Sequence, residues 1–185
     1  MSYTFSRRDF MKYTALTAVA IAGSGMLTGC SNPNQPTGTV GSPLKPGGGI
    51  CEATLLNGES APTYDAAQKK LVCKFKIKSL IAGLQVSKGH FQVDVTGGEH
   101  PGSYNVNTYP TGVAAATFDL SGGTDATTKN QVLPNVALIV TGIDLTDATN
   151  VAVRYCPKHS ADENDKDFYN DVYATWNITA SDLGL

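Results

Sequence analysis

Three histidines and four cysteines are all that 185 residues offer for soft-metal or thiol chemistry. The densest grouping is Tyr155-Cys156-Pro157-Lys158-His159, with His90 lying 66 residues before Cys156. A thiolate and two imidazoles make a ligand set for copper. The plainer reading is a strand end followed by a proline turn, with His159 exposed. A second candidate is the stretch Asp162 to Asp171, which holds five carboxylates in ten residues. Calcium takes six to eight oxygens from such loops, but the glycine and final glutamate of an EF-hand are missing at their positions. A solvated acidic loop is the simpler reading. Nucleophilic catalysis needs a nucleophile, a base and an orienting group. Ser87-Lys88-Gly89-His90 and Glu99-His100-Pro101 place histidines in loops, yet no Gly-x-Ser-x-Gly elbow and no phosphate-cradling glycine loop occurs after residue 30. Gly97-Gly98-Glu99-His100-Pro101-Gly102 reads as a turn. No catalytic constellation stands out, and no resident cofactor is implied.

The Cys156–His159 stretch resembles the copper loop of cupredoxins, which are exported β-sandwiches. That resemblance implies copper at Cys156, His159 and His90. It departs from the family downstream, where neither Met nor Gln follows His159 as an axial ligand.

A stronger resemblance lies at the N-terminus. Ser6-Arg7-Arg8-Asp9-Phe10-Met11-Lys12 is similar to the twin-arginine export motif, carried by Arg7, Arg8, Phe10 and Lys12. Tyr13 to Leu27 follows as an uncharged, mildly apolar run, too short for a spanning helix of about 20 residues. Leu27-Thr28-Gly29-Cys30 then resembles the bacterial lipobox. Together these imply a signal peptide over residues 1–29, processing by the twin-arginine translocase and the lipoprotein-processing enzymes, and a covalent lipid on Cys30. The expected location is the cell envelope, on the extracytoplasmic face of a membrane. Twin-arginine substrates cross folded, some with a cofactor already inserted.

Residues 31–49 contain four prolines and five glycines, so residues 30–49 are expected to be a lipidated cysteine and a flexible linker. Residues 50–185 are enough for one domain with its own core. Removing Arg7, Arg8, Lys12 and Asp9 from 14 basic and 16 acidic residues leaves 11 and 15, with Arg154 the sole remaining arginine. That balance argues against nucleic-acid binding, which needs a basic patch.

The elements that must position any site are strands. Leu71 to Lys78 alternates Leu71, Cys73, Phe75 and Ile77 against Lys74, Lys76 and Lys78, the period of a half-buried strand. The lysine row is the solvated face of a sheet, which also discourages edge pairing. Ile50–Leu56, His90–Val95, Ser103–Tyr109, Val113–Leu120, Val151–Cys156 and Val172–Ile178 are further candidates. Val136–Thr141 is apolar throughout and suits a central strand. Thr63 to Lys70 is expected to form at most one helical turn. About eight strands with glycine-rich breaks predict an all-β antiparallel two-sheet sandwich, loosely similar to immunoglobulin-like domains of exported lipoproteins, with Trp176 as a core anchor. A closed β-barrel is the alternative architecture.

Cys51 and Cys73 share inward faces on consecutive strands, so a hairpin would bring them together as a disulfide, with Cys156 outward and free. Pairings involving Cys156, or no bridge, stay open. An anchored sandwich presenting loops on a long tether points to a non-enzymatic binding or interaction module with an unidentified protein or ligand partner. An exported metal-binding or redox domain, using copper or calcium, is the alternative.

Overall fold

The computed structural model describes residues 32, 34–157 and 172–185. Strands take 47% of these residues and helix 7%, which settles the all-β class. Eleven strands build two sheets facing each other, and the sequence order explains the arrangement. One sheet runs β2 (Pro43–Leu44), β3 (Cys51–Leu55), β5 (Lys70–Ser79), β11 (Val132–Thr141), β9 (Thr117–Ser121), with β4 (Thr63–Asp65) also on β5. The other runs β1 (Thr37–Thr39), β13 (Ala174–Ile178), β12 (Ala148–Tyr155), β7 (Phe91–Gly97), β8 (Gly102–Tyr104). A small ribbon pairs β6 (Leu84–Gln85) with β10 (Asp125–Ala126). Taking β3, β5, β11 and β9 as A, B, E and D leaves β7, β8, β12 and β13 as C, C′, F and G, the immunoglobulin-like arrangement. Both sheets end in open edges, so the fold is a sandwich and not a closed barrel.

Period-2 patterning produces the core. In β5 the residues Leu71, Cys73, Phe75 and Ile77 are fully buried, while Lys76 is exposed. In β12 the buried face is Val151, Val153 and Tyr155. Phe75 meets Phe91 and Trp176 at centroid distances of 5.3 Å each, and Phe91 stacks on Tyr155 at 4.9 Å. Trp176 is fully buried and anchors the core as expected, its indole N–H donating to the Ser42 carbonyl at 2.8 Å. The apolar run in β11 lies centrally between β5 and β9, as its composition predicts. On the outer face of the second sheet Arg154 Nε approaches Asp94 Oδ2 to 2.7 Å, off-line for a hydrogen bond, and its guanidinium lies over the Tyr173 ring. The other Asp94 oxygen accepts from Ser103 Oγ at 2.6 Å and from Gln92 Nε2 at 2.5 Å.

Three expectations differ from the structure. The Pro/Gly-rich stretch is not all linker. β1 pairs with β13, in parallel, and β2 pairs with β3, because the chain doubles back so closely at Gly38 that a Cβ there would stand 2.7 Å from Ser42 Cβ, and the Ser42 carbonyl then accepts from Trp176. Residues 63–65 are strand and not a helical turn, because Thr63–Asp65 finds a partner in Val72–Lys70 of β5. β8 stops at Tyr104, where Asn105 and Thr108 close a turn through their main chains. A short α1 (Ala180–Leu183) ends the chain, capped by Thr179 and Asp182.

Candidate functional site

The sandwich has two chemically different ends. At the first, the chain enters at Pro36, whose carbonyl accepts from Thr175 N. β3 and β7 begin here, and β5 and β12 finish here. This end gathers the cysteine chemistry. Main-chain pairing sets Cys156 opposite His90, with Cys156 N donating to the His90 carbonyl at 2.8 Å. The two residues singled out for copper are therefore neighbours. Their setting does not match the expected loop: both are buried, and His90 Nδ1 already accepts from Ser87 N at 3.2 Å. Cys156 does not point outward at the strand end, since only 5% of it is exposed. His159 and the acidic stretch from Asp162 to Asp171 lie outside the described residues, as do Arg7, Arg8, Phe10, Lys12 and Cys30. Among the described residues no helix is long and apolar enough to cross a membrane.

The Cys51–Cys73 pairing is corrected by register. β3 and β5 do pair antiparallel, but Cys51 lies opposite Ser79, and Leu55 opposite Phe75. Cys73 falls six positions along β5 from Cys51's partner, about 20 Å at strand rise, and lies opposite Leu138 of β11. All three cysteines of the described domain are free thiols. Burial pushes the Cys51 thiol up to about 12, offset in part by contact with the Tyr155 hydroxyl, and burial alone pushes Cys73 to about 12. The Tyr155 hydroxyl is itself buried without a well-aligned hydrogen-bond partner, and burial holds it well above the ordinary phenol range.

The second end carries the ionisable groups. Glu99 and His100 sit in the β7–β8 turn and Asp144 in the β11–β12 loop, and one ligand atom from each lies within 4.8 Å of the other two. Local sequence explains the convergence. Gly97 and Gly98 both adopt φ of +74°, which a side chain would strain, and a Cβ on Gly98 would stand 2.5 Å from the Thr146 carbonyl. The double glycine thus lets one loop touch the other. Tyr64 clamps the Asp144 loop from both sides, its hydroxyl donating to the Ile143 carbonyl at 3.2 Å and accepting from Leu145 N at 3.1 Å. Buried Tyr104 donates to the His100 carbonyl at 2.8 Å.

Lys69 completes the cluster. Its ammonium lies 2.8 Å from Asp144 Oδ2, and Asp144 Oδ1 accepts from Thr146 N at 3.0 Å. The Lys69 hydrogen bond first, then the Thr146 amide, hold the Asp144 carboxyl down at about 2. The Lys69 main chain is left-handed, φ +48°, and its carbonyl accepts from both Gly142 N and Ile143 N. A non-glycine residue in that region persists where its surroundings over-determine it, and such positions cluster at functional sites.

Sequence reading placed Glu99 and His100 in a turn but did not join them to Asp144 or Lys69. The only local signal was the Gly-Gly pair beside a histidine. The arrangement supplies one imidazole, two carboxylates and an ammonium in a shallow, solvent-reached corner, a set suited to binding a charged ligand. It lacks a nucleophile with an adjacent base among the described residues. Compared with known proteins, the chain matches no family model, no curated protein and no solved structure.

Proposed function

We propose that this chain is a lipid-anchored, extracytoplasmic binding module that works through the Glu99–His100–Asp144 end of its sandwich. The lipid is on Cys30, delivered by the twin-arginine route, and the module is not an enzyme. One observation supports the orientation. The compact domain begins at Asn32, and its first strand β1 starts at the end opposite the charged loops. Cys30 precedes Thr37 by seven residues, a reach of at most about 25 Å. A membrane holding Cys30 therefore lies on the cysteine-rich side, and the charged end faces away from it. Loops on a rigid sandwich are a common place for recognition.

The test is fractionation with surface labelling in a bacterium that exports the chain. Wild type is expected in the membrane fraction, with a cysteine introduced at Thr146 labelled by a membrane-impermeant maleimide in intact spheroplasts. Cys30→Ala should release the domain in soluble form, and Arg7→Lys with Arg8→Lys should block export. Membrane retention of the Cys30→Ala variant defeats the lipid anchor. Labelling confined to lysed cells defeats the outward orientation.

A further inference from the structure

We propose that Glu99, His100 and Asp144 form a site for a divalent transition-metal ion of the zinc class. The inference rests on reading this end of the sandwich as the binding end, and it names the ligand. The donors are one imidazole nitrogen and two carboxylates, brought together from two loops with their ligand atoms within 4.8 Å of one another. Around a tetrahedral zinc, bonds of about 2.0–2.2 Å put donor atoms roughly 3.4 Å apart. Glu99 is exposed, so its side chain can adjust toward an ion without moving the backbone. His100 and Asp144 are half-buried and their loops are pinned by Tyr104 and Tyr64, so most of the site is organised before any ion arrives. Three protein donors leave a fourth position to water or to a ligand.

Charge points the same way. Two carboxylates converge on one corner and Lys69 balances one of them, leaving about one negative charge for a cation to meet. The Lys69 and Thr146 contacts also orient the Asp144 carboxylate, the outer-shell support that ligating carboxylates receive. The donor set disfavours calcium. Calcium takes six to eight oxygens, and these two side chains offer four, one of which Lys69 already occupies. An imidazole in the set favours zinc, cobalt or nickel.

Cobalt(II) is the probe, because its visible spectrum reports its donors. The full chain, purified in detergent, is titrated with Co(II) and then back-titrated with Zn(II). We expect one equivalent to bind with weak d–d bands and no thiolate-to-metal charge-transfer band. His100→Ala and Asp144→Asn should each weaken binding by at least about tenfold, in line with losses from perturbing ligand support, while Cys156→Ser leaves it unchanged. Unaltered circular dichroism of these exposed and half-exposed variants excludes misfolding as the cause. Failure of Co(II) or Zn(II) to bind at millimolar concentration overturns the proposal. So does a thiolate band that Cys156→Ser removes, which moves the metal to the opposite end. So does binding indifferent to His100→Ala. None of these outcomes depends on where the protein resides, so they separate from failure of the anchor or of the outward orientation.

Discussion

The two ends of this sandwich each carry a histidine among other titratable residues, in opposite environments. At the chain-entry end, Cys51, Tyr155, Cys156 and His90 are buried in or beside the aromatic core. At the far end, Lys69, Glu99, His100 and Asp144 sit in two loops and a turn that solvent reaches. Burial penalises charge, so the Cys51 thiol and the Tyr155 phenol are both pushed up. At the far end the Lys69 hydrogen bond holds the Asp144 carboxyl down at about 2. The lesson is that residue type alone does not locate chemistry. Cys156 and His90, which look reactive in sequence, are buried against the core at a strand end. The loop that looks like a plain turn is where charged groups converge.

The sharpest way to break this contrast is thiol reactivity. With a pKa near 12, about one thiol in ten thousand is ionised at pH 8, roughly a thousandfold less than an ordinary cysteine. Native protein treated with iodoacetamide at that pH should leave Cys51 and Cys73 unmodified, whereas protein in guanidinium should label at both. Peptide mass mapping reads the result. Labelling of Cys51 at the rate of a free thiol would mean that the entry end is open, and the comparison collapses.

A second experiment targets the far end through its backbone. Gly98→Ala places a methyl group against the Thr146 carbonyl at a residue with φ of +74°. It should cost about 1–3 kcal/mol in urea unfolding, and it should separate Glu99 and His100 from Asp144, abolishing Co(II) binding. A Gly98→Ala protein of unchanged stability and unchanged metal affinity would show that the loop contact is not what builds the cluster.

The smallest effect is expected at Tyr155. Its hydroxyl is buried without a well-aligned partner, so Tyr155→Phe removes a desolvated polar group and keeps the ring stacked on Phe91. Stability should stay level or rise by up to about 1 kcal/mol. A loss of 2 kcal/mol or more would mean that the contact with Cys51 is a real hydrogen bond and that the entry end holds an organised polar centre after all.

How far the sequence discloses this molecule follows from the range of the interactions involved. β5 and β11 are legible because their signals are local: alternation in Leu71–Lys78 and unbroken apolar character in Val136–Thr141. The burial of Trp176 is legible for the same reason, as a large side chain on the apolar face of the last strand. The Cys51–Ser79 register is not, because the connection between β3 and β5 contains a 3₁₀ turn and β4, which take up a length that a simple hairpin would not need. The entry segment is not legible either. Proline and glycine look the same in a linker and in a short edge strand, and only the partner strand, some 135 residues away, tells them apart. The charged cluster joins residues 69, 99, 100 and 144, whose sequence separations carry no periodic trace. Its one local clue is the pair Gly97-Gly98, which announces a tight turn and says nothing about what the turn touches.

The parallel pairing of β1 with β13 has a mechanical consequence for a chain held at its N-terminus. Thr37, Gly38 and Thr39 run alongside Thr175, Trp176 and Asn177 in the same direction. A pull on the N-terminal side, resisted at the C-terminal end, draws the two strands past each other along their length. Their rungs are then strained together and not peeled one after another, and the Trp176–Ser42 bond shares the load. Under that load the clasp resists as a unit, because its rungs must break together.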